Sequence, residues 1–300
     1  MTFGGFIEPD RNVENVGNPA EMLGVQIYSG YRAVGQMDSL LGQNRIFDRI
    51  VAKAKSLDFT YEDQCSPQYY FDLVRTLRDF NGQFDRAVEV GVYTGGSTSF
   101  LAGCIDPFDF DLDLVDINEH YLRLAYERVR RMYPESAKRI RLFHGDLPSY
   151  VRHVMRKDRE CTYLVHHDGA HDFNQVVKDM ASLYYARAQI LAVIAQDTHL
   201  RGSVEYMNFV DLALYAVFGT DLKFAGIGAC YPEGHGNTKP DQYFGNYFNP
   251  GVPEGLVLPM AVNSFKYPHP YHSIDDFLPP EVIPEAAALD SSGLVELQRG

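Results

Sequence analysis

Basic charge is scarce in this chain. Its 27 Lys and Arg face 40 Asp and Glu, for a net charge of −13 and a pI near 5.2. A duplex-binding surface needs clustered cations to meet phosphates, so the composition argues against a nucleic-acid partner. The one locally basic stretch, Arg123 to Arg141, carries seven Lys or Arg and reads as a solvated helix face. Cysteine is scarce too. Cys65, Cys104, Cys161 and Cys230 lie far apart with no C-x-x-C, which argues against a disulfide framework or a zinc site. The N-terminus shows no basic region followed by an apolar run, and no apolar run approaches the roughly 18 residues that a membrane span needs. A cytoplasmic protein with no membrane partner is the expectation.

What is present suits one large α/β domain. Apolar residues make up 45% of 300 residues, enough for a sizeable core. Short apolar strands are expected at 87–90, 112–115, 140–143, 163–165 and 190–194. They alternate with helical segments at about 97–104, 119–132, 147–156 and 172–187. Earlier helices are expected over 37–56 and, from the Ser66-Pro67 start signal, to about 79. A helix at 204–218 and strands at 222–230 and 256–265 follow. Such alternation predicts a mostly parallel, doubly wound sheet covered on both faces. The long Gly-, Pro- and Tyr-rich segment at 231–255 reads as a lid or an oligomer contact. Tyr243, Phe244 and Tyr247 are its candidates for closing over a substrate.

In open α/β sheets ligands bind beyond the carboxyl ends of the strands. The first strand ends in Glu89-Val-Gly91-Val-Tyr93-Thr-Gly95-Gly96-Ser97. This is a strand, a glycine turn and a helix start in series, and it is not the G-x-G-x-x-G of a diphosphate-binding turn. The acid two places before Gly91 suits a ligand with a cationic end. Asp116 ends the second strand about 20 residues on, where a carboxylate can accept both hydroxyls of a ribose, or cap a helix. Asp146, in His144-Gly145-Asp146-Leu147, ends the third. The fourth ends in His166-His167-Asp168-Gly-Ala-His171-Asp172, and the fifth in Gln196-Asp197-Thr198-His199.

These motifs resemble those of class I S-adenosylmethionine (SAM) dependent methyltransferases. In particular, Glu89-Val-Gly-Val-Tyr-Thr-Gly is similar to the cation-dependent small-molecule O-methyltransferases of the catechol and caffeoyl-CoA type. The Asp-Gly-x-His run resembles a bacterial branch acting on sugars and secondary metabolites. The resemblance covers about residues 60–230. It implies a Rossmann-like, seven-stranded sheet whose last strand is antiparallel. The methyltransferase domain would span 61–272, with an N-terminal helical extension over 1–60 and an acidic tail over 273–300.

It also implies that SAM is held by Glu89, Gly91, Tyr93, Gly95, Ser97, Asp116 and Asp146, with Asp168 bordering it. A divalent cation, Mg²⁺ or another, would be held by Asp168 and Asp197. Thr198 stands where the family usually has a third acid, and Gln196 could serve from the other side. His171 stands at the place of the catalytic base. The implied activity is methyl transfer to a hydroxyl of a small molecule by a homo-oligomeric enzyme. Nitrogen or carboxylate acceptors, a nicotinamide-binding dehydrogenase and a non-catalytic SAM-binding subunit remain the alternatives.

Overall fold

The computed structural model describes residues 3–231, 236–238 and 243–280. The tail from 281 onward, and residues 232–235 and 239–242 of the expected lid, lie outside the described residues. The chain opens with β1 (Gly5–Ile7), α1 (Pro19–Met22), α2 (Arg45–Lys55) and α3 (Pro67–Asp79). The alternating part runs β2 (Arg86–Val90), α4 (Gly96–Phe108), β3 (Asp111–Asp116), α5 (Glu119–Met132) and β4 (Ile140–His144). It continues α6 (Leu147–Tyr150), β5 (Tyr163–His167), α7 (Phe173–Ser182) and β6 (Ile190–Gln196). Then come β7 (Leu200–Gly202), α8 (Val210–Phe218), β8 (Ala225–Cys230), β9 (Tyr247–Phe248) and β10 (Pro253–Pro259).

The main sheet has the order β1-β4-β3-β2-β5-β6-β10-β8. Strands β2 to β6 are mutually parallel, and β10 runs antiparallel to both β6 and β8. This is the expected mostly parallel, doubly wound Rossmann-like sheet, with eight strands instead of seven. The addition is β1, which pairs antiparallel with β4 through Gly5 and His144, Phe6 and Phe143, and Ile7 and Leu142. One core lies under α2 to α5, and a second lies under α6 to α8 on the other face. The chain winds outward in both directions from β2 and β5, so the gap between their carboxyl ends is the switch point where such folds bind ligands.

Local chemistry sets the helix starts. Ser66 accepts from Tyr69 N–H with Pro67 following, Asn118 accepts from His120 N–H, and Asp172 accepts from Gln175 N–H. Several expected boundaries shift. The helix over 37–56 begins only at Arg45, because Gly42 takes a left-handed φ of +84° and Asn44 caps the start. The helix at 204–218 begins at Val210, since Leu200–Gly202 pairs with Tyr247–Phe248 as a small second sheet. The last strand spans Pro253–Pro259 and not 256–265.

Candidate active site

At the switch point the strands come very close. Asp168 N–H donates to the Val90 carbonyl at 2.8 Å, and Gly91 N–H to the Val115 carbonyl at 2.9 Å. A Cβ on Gly91 would overlap the Asp168 carbonyl oxygen, and Gly91 has a φ of +81°. Only glycine fits there. A cleft of about 1220 Å³ opens above this junction.

Gly91, Tyr93, Ser97, Asp116, Asp146 and Asp168 all line the cleft. Glu89 and Gly95 do not. Glu89 is fully buried behind the turn and accepts from Ser97 Oγ at 2.5 Å, so any influence on a ligand passes through Ser97. Burial pushes its carboxyl up to about 8 against the hydrogen bond from Ser97. Gly95 is the N-cap of α4, and a Cβ there would lie 3.0 Å from the Ala125 backbone. It is a packing glycine, needed for the close approach of α5.

Asp116 accepts from Val92 N–H at 2.9 Å through one oxygen and from Asn118 N–H at 2.8 Å through the other. It therefore fixes the glycine turn to the end of β3 and leaves lone pairs facing the cleft. Burial raises its carboxyl despite those bonds. Asp146 caps α6 by accepting from Ser149 N–H at 3.0 Å.

Asp168, His171 and Asp197 converge. Their potential ligand atoms lie within 4.8 Å of one another. His171 Nε2 stands 3.2 Å from Asp197 Oδ2 and 3.8 Å from Asp168 Oδ1. Burial pushes the imidazole pKa down, but the neighbouring carboxylates outweigh it and raise the pKa. Burial pushes the Asp197 carboxyl up to about 7, with Asp168 and Glu254 raising it further and His171 lowering it. Asp197 Oδ1 and His171 Nε2 are buried without hydrogen-bond partners, the condition of a donor set shaped for a cation. Asp197 has a φ of +59°, backbone strain of the kind that gathers at functional sites.

Thr198 does not join this set. Its hydroxyl donates to the Pro253 carbonyl at 2.7 Å, and it is absent from the cleft wall. Gln196 is buried with its amide unpaired and also lies off the cleft wall. The third donor is His171, which the sequence suggested as a base. One nitrogen cannot hold both a cation and a proton, so Nε2 either faces a cation or carries the proton that pairs with Asp197.

The loop aromatics also sit differently from the expectation. Among the described residues, none from 231–255 lines the cleft. Tyr243 is buried and donates to Glu254 at 2.6 Å, while Tyr231 stacks on Phe248 with centroids 4.0 Å apart. Several cleft residues carried no sequence signal: Phe3, Tyr28, Glu62, Gln64, Cys65 and Pro279. Glu62 gathers donors from Ser29, Gly30, Gln64 and Tyr93, and so ties the N-terminal segment to the glycine turn.

Fold and site together define a doubly wound α/β protein with a ligand cleft at the switch point of its sheet. More particularly, residues 88–196, from β2 to the end of β6, match the model of a family described as a methyltransferase domain. No curated protein matches the chain. Similar solved structures include cofactor-bound Rv0187 from MTB, at 15% identity over 78% of this chain and 99% of that one, with a TM-score of 0.47. Another is the O-methyltransferase TomG from Streptomyces achromogenes, involved in tomaymycin synthesis and solved with SAM. It shows 17% identity over 58% of this chain and 75% of that one, with a TM-score of 0.39.

Proposed function

We propose that the protein transfers the methyl group of SAM to a hydroxyl of a small molecule, with a divalent cation at Asp168, His171 and Asp197. The observation that carries this reading is the convergence of those three side chains on the wall of the cleft that the glycine turn lines. A cation held there lowers the pKa of a hydroxyl bound to it. Two carboxylates and an imidazole suit Mg²⁺ less well than an all-oxygen set and lean toward transition metals such as Mn²⁺.

The chain's own residues then have limited work. Gly91 lets the backbone pass close under the methionine part, and Asp116 fixes the nucleoside end. SAM would supply an activated methyl: the C–S bond would break as the C–O bond forms, releasing SAH, and the hydroxyl proton would pass to solvent water in the cleft. Holding oxygen, methyl carbon and sulfur in line lowers the barrier through orientation. The acids lining the cleft (Glu62, Asp116, Asp146, Asp168, Asp172, Asp179, Asp197) suit a small hydroxylated acceptor and repel a polyanion. The exposed apolar residues Val204, Tyr206, Met207, Leu212 and Tyr215 support a homo-oligomer. Four free cysteines support a cytoplasmic setting.

A second reading rests on the 3.2 Å approach of His171 Nε2 to Asp197. In it Nε2–H points at Asp197, which orients the ring, and His171 takes the hydroxyl proton at Nδ1, without a cation. Turnover of SAM with a panel of hydroxylated compounds, before and after EDTA, separates the two. The cation reading expects turnover to vanish and to return with Mn²⁺ or Mg²⁺, while binding of the product S-adenosylhomocysteine (SAH), followed by calorimetry, survives chelation. Full turnover in chelator would leave the His171–Asp197 dyad as the mechanism.

A further inference from the structure

We infer that the added N-terminal strand is part of the cofactor site, with Phe3 forming one wall of the slot that takes the adenine ring. This rests on the SAM reading above. Three observations converge on it.

First, β1 is locked in place by more than its ladder with β4. Gly4 N–H donates to the His144 carbonyl at 2.7 Å, one residue beyond the strand pairing, and so brings Phe3 up to the carboxyl end of β4. The Phe3 ring meets the His144 ring edge-on, with centroids 5.6 Å apart at 70°.

Second, the neighbouring backbone is cut to fit. A Cβ on Gly145 would lie 2.7 Å from the Phe143 ring and 3.3 Å from Gly4. A side chain there would push the strap away from the sheet. Glycine at 145 thus serves the close approach of the N-terminal segment as well as the turn before Asp146.

Third, the cleft beside Phe3 is chemically a slot for a flat, amino-bearing ring. Phe3 and Ile117 supply apolar surface, and Asp146 supplies a carboxylate. Ile117 is 67% exposed, an apolar side chain left wet directly after the ribose-facing Asp116. The His144 ring bonds the Ile117 carbonyl at 3.1 Å, so the Phe3 and Ile117 walls share one support. A ring between them would cover apolar surface that otherwise faces water.

The chain contains no tryptophan, which makes the test direct. Phe3→Trp places a single indole at the proposed wall. Its fluorescence should change on adding SAH and should not respond to homocysteine, which lacks the adenine. Phe3→Ala should weaken SAH binding by about tenfold, the size of one lost base–aromatic stack, and Phe3→Tyr should restore it. Calorimetry with SAH on wild type, Phe3→Ala and Phe3→Tyr reads this out, with thermal unfolding of each variant as the check on folding. Wild-type affinity in a folded Phe3→Ala protein, or an indole signal indifferent to SAH, overturns the role of Phe3 and leaves the SAM reading standing. Failure of the wild type itself to bind SAH overturns both.

Discussion

Thr198 donates its hydroxyl to the Pro253 carbonyl at 2.7 Å, away from the carboxylate of its neighbour Asp197. The turn after β6, where the resemblance implied a third metal donor, is thus stitched to β10. Thr198→Val should leave turnover and cation affinity unchanged while lowering stability by roughly 1 kcal/mol, the usual net worth of one such bond. Denaturant unfolding and kcat/KM measured side by side check this. Collapse of turnover in a stably folded variant would return Thr198 to the donor set.

The two roles open to His171 respond differently to substitution. His171→Asp keeps an oxygen donor near Asp168 and Asp197, so cation-dependent turnover should persist, with preference shifted toward Mg²⁺. His171→Ala should lose it. If the Asp and Ala variants both fall by about 10²–10⁴, the contribution typical of a general base, and cation dependence is the same in each, the imidazole is moving a proton instead.

Asp116 should carry much of the affinity for the nucleoside. Asp116→Ala removes a carboxylate whose hydrogen bonds contribute roughly 1.5–3 kcal/mol each, so SAH affinity should fall about tenfold to a hundredfold. Asp116→Asn tests the charge with the shape kept, since the residue also holds Val92 N–H and Asn118 N–H. Unchanged affinity in both variants, read by calorimetry, would remove Asp116 from the site.

Glu89 should make stability fall with rising pH. Burial holds its carboxyl up at about 8, against 4.5 for an ordinary glutamate. The folded protein therefore keeps a proton that the unfolded chain releases, and the penalty grows across the window from about pH 4.5 to about pH 8. Glu89→Gln has no proton to lose and can still accept from Ser97. Its Tm advantage over wild type should be absent at the acid end of that window and greatest at the alkaline end. A Tm difference flat with pH would show that Glu89 is ionised in the fold.

Much of this was legible because strand ends announce themselves. Strands β2 to β6 are short buried runs that stop at Gly91, Asp116, Gly145, Asp168 and Asp197, and the fold brings those stops together whatever the rest of the chain does. What stayed hidden depends on partners distant in sequence. A strand of three residues such as β1 has too little period to be read, and only its pairing with β4 defines it. Glu62 and Tyr93 are 31 residues apart, with nothing in their spacing to join them. The orientation of Thr198 follows from where β10 begins, three residues earlier than the apolar pattern suggests. His171 stood out in the sequence and stands on the cleft wall beside Asp168 and Asp197, but which job it holds is a matter of angstroms that spacing does not encode.

The eighth strand also changes how the molecule meets its neighbours in a crowded solution. A parallel sheet ending at β4 would offer a bare row of amides to any passing extended chain. With β1 laid along it, that rim presents only three residues, and Arg141 sits over the Phe6 ring at 4.5 Å. The opposite rim, β8, is broken by Gly228 at a φ of +79° and by a register shift against β10. Both borders of the sheet are poor templates for growth. The segment that walls the adenine slot thus also guards against aggregation, and a chain trimmed at its N-terminus would lose solubility along with cofactor.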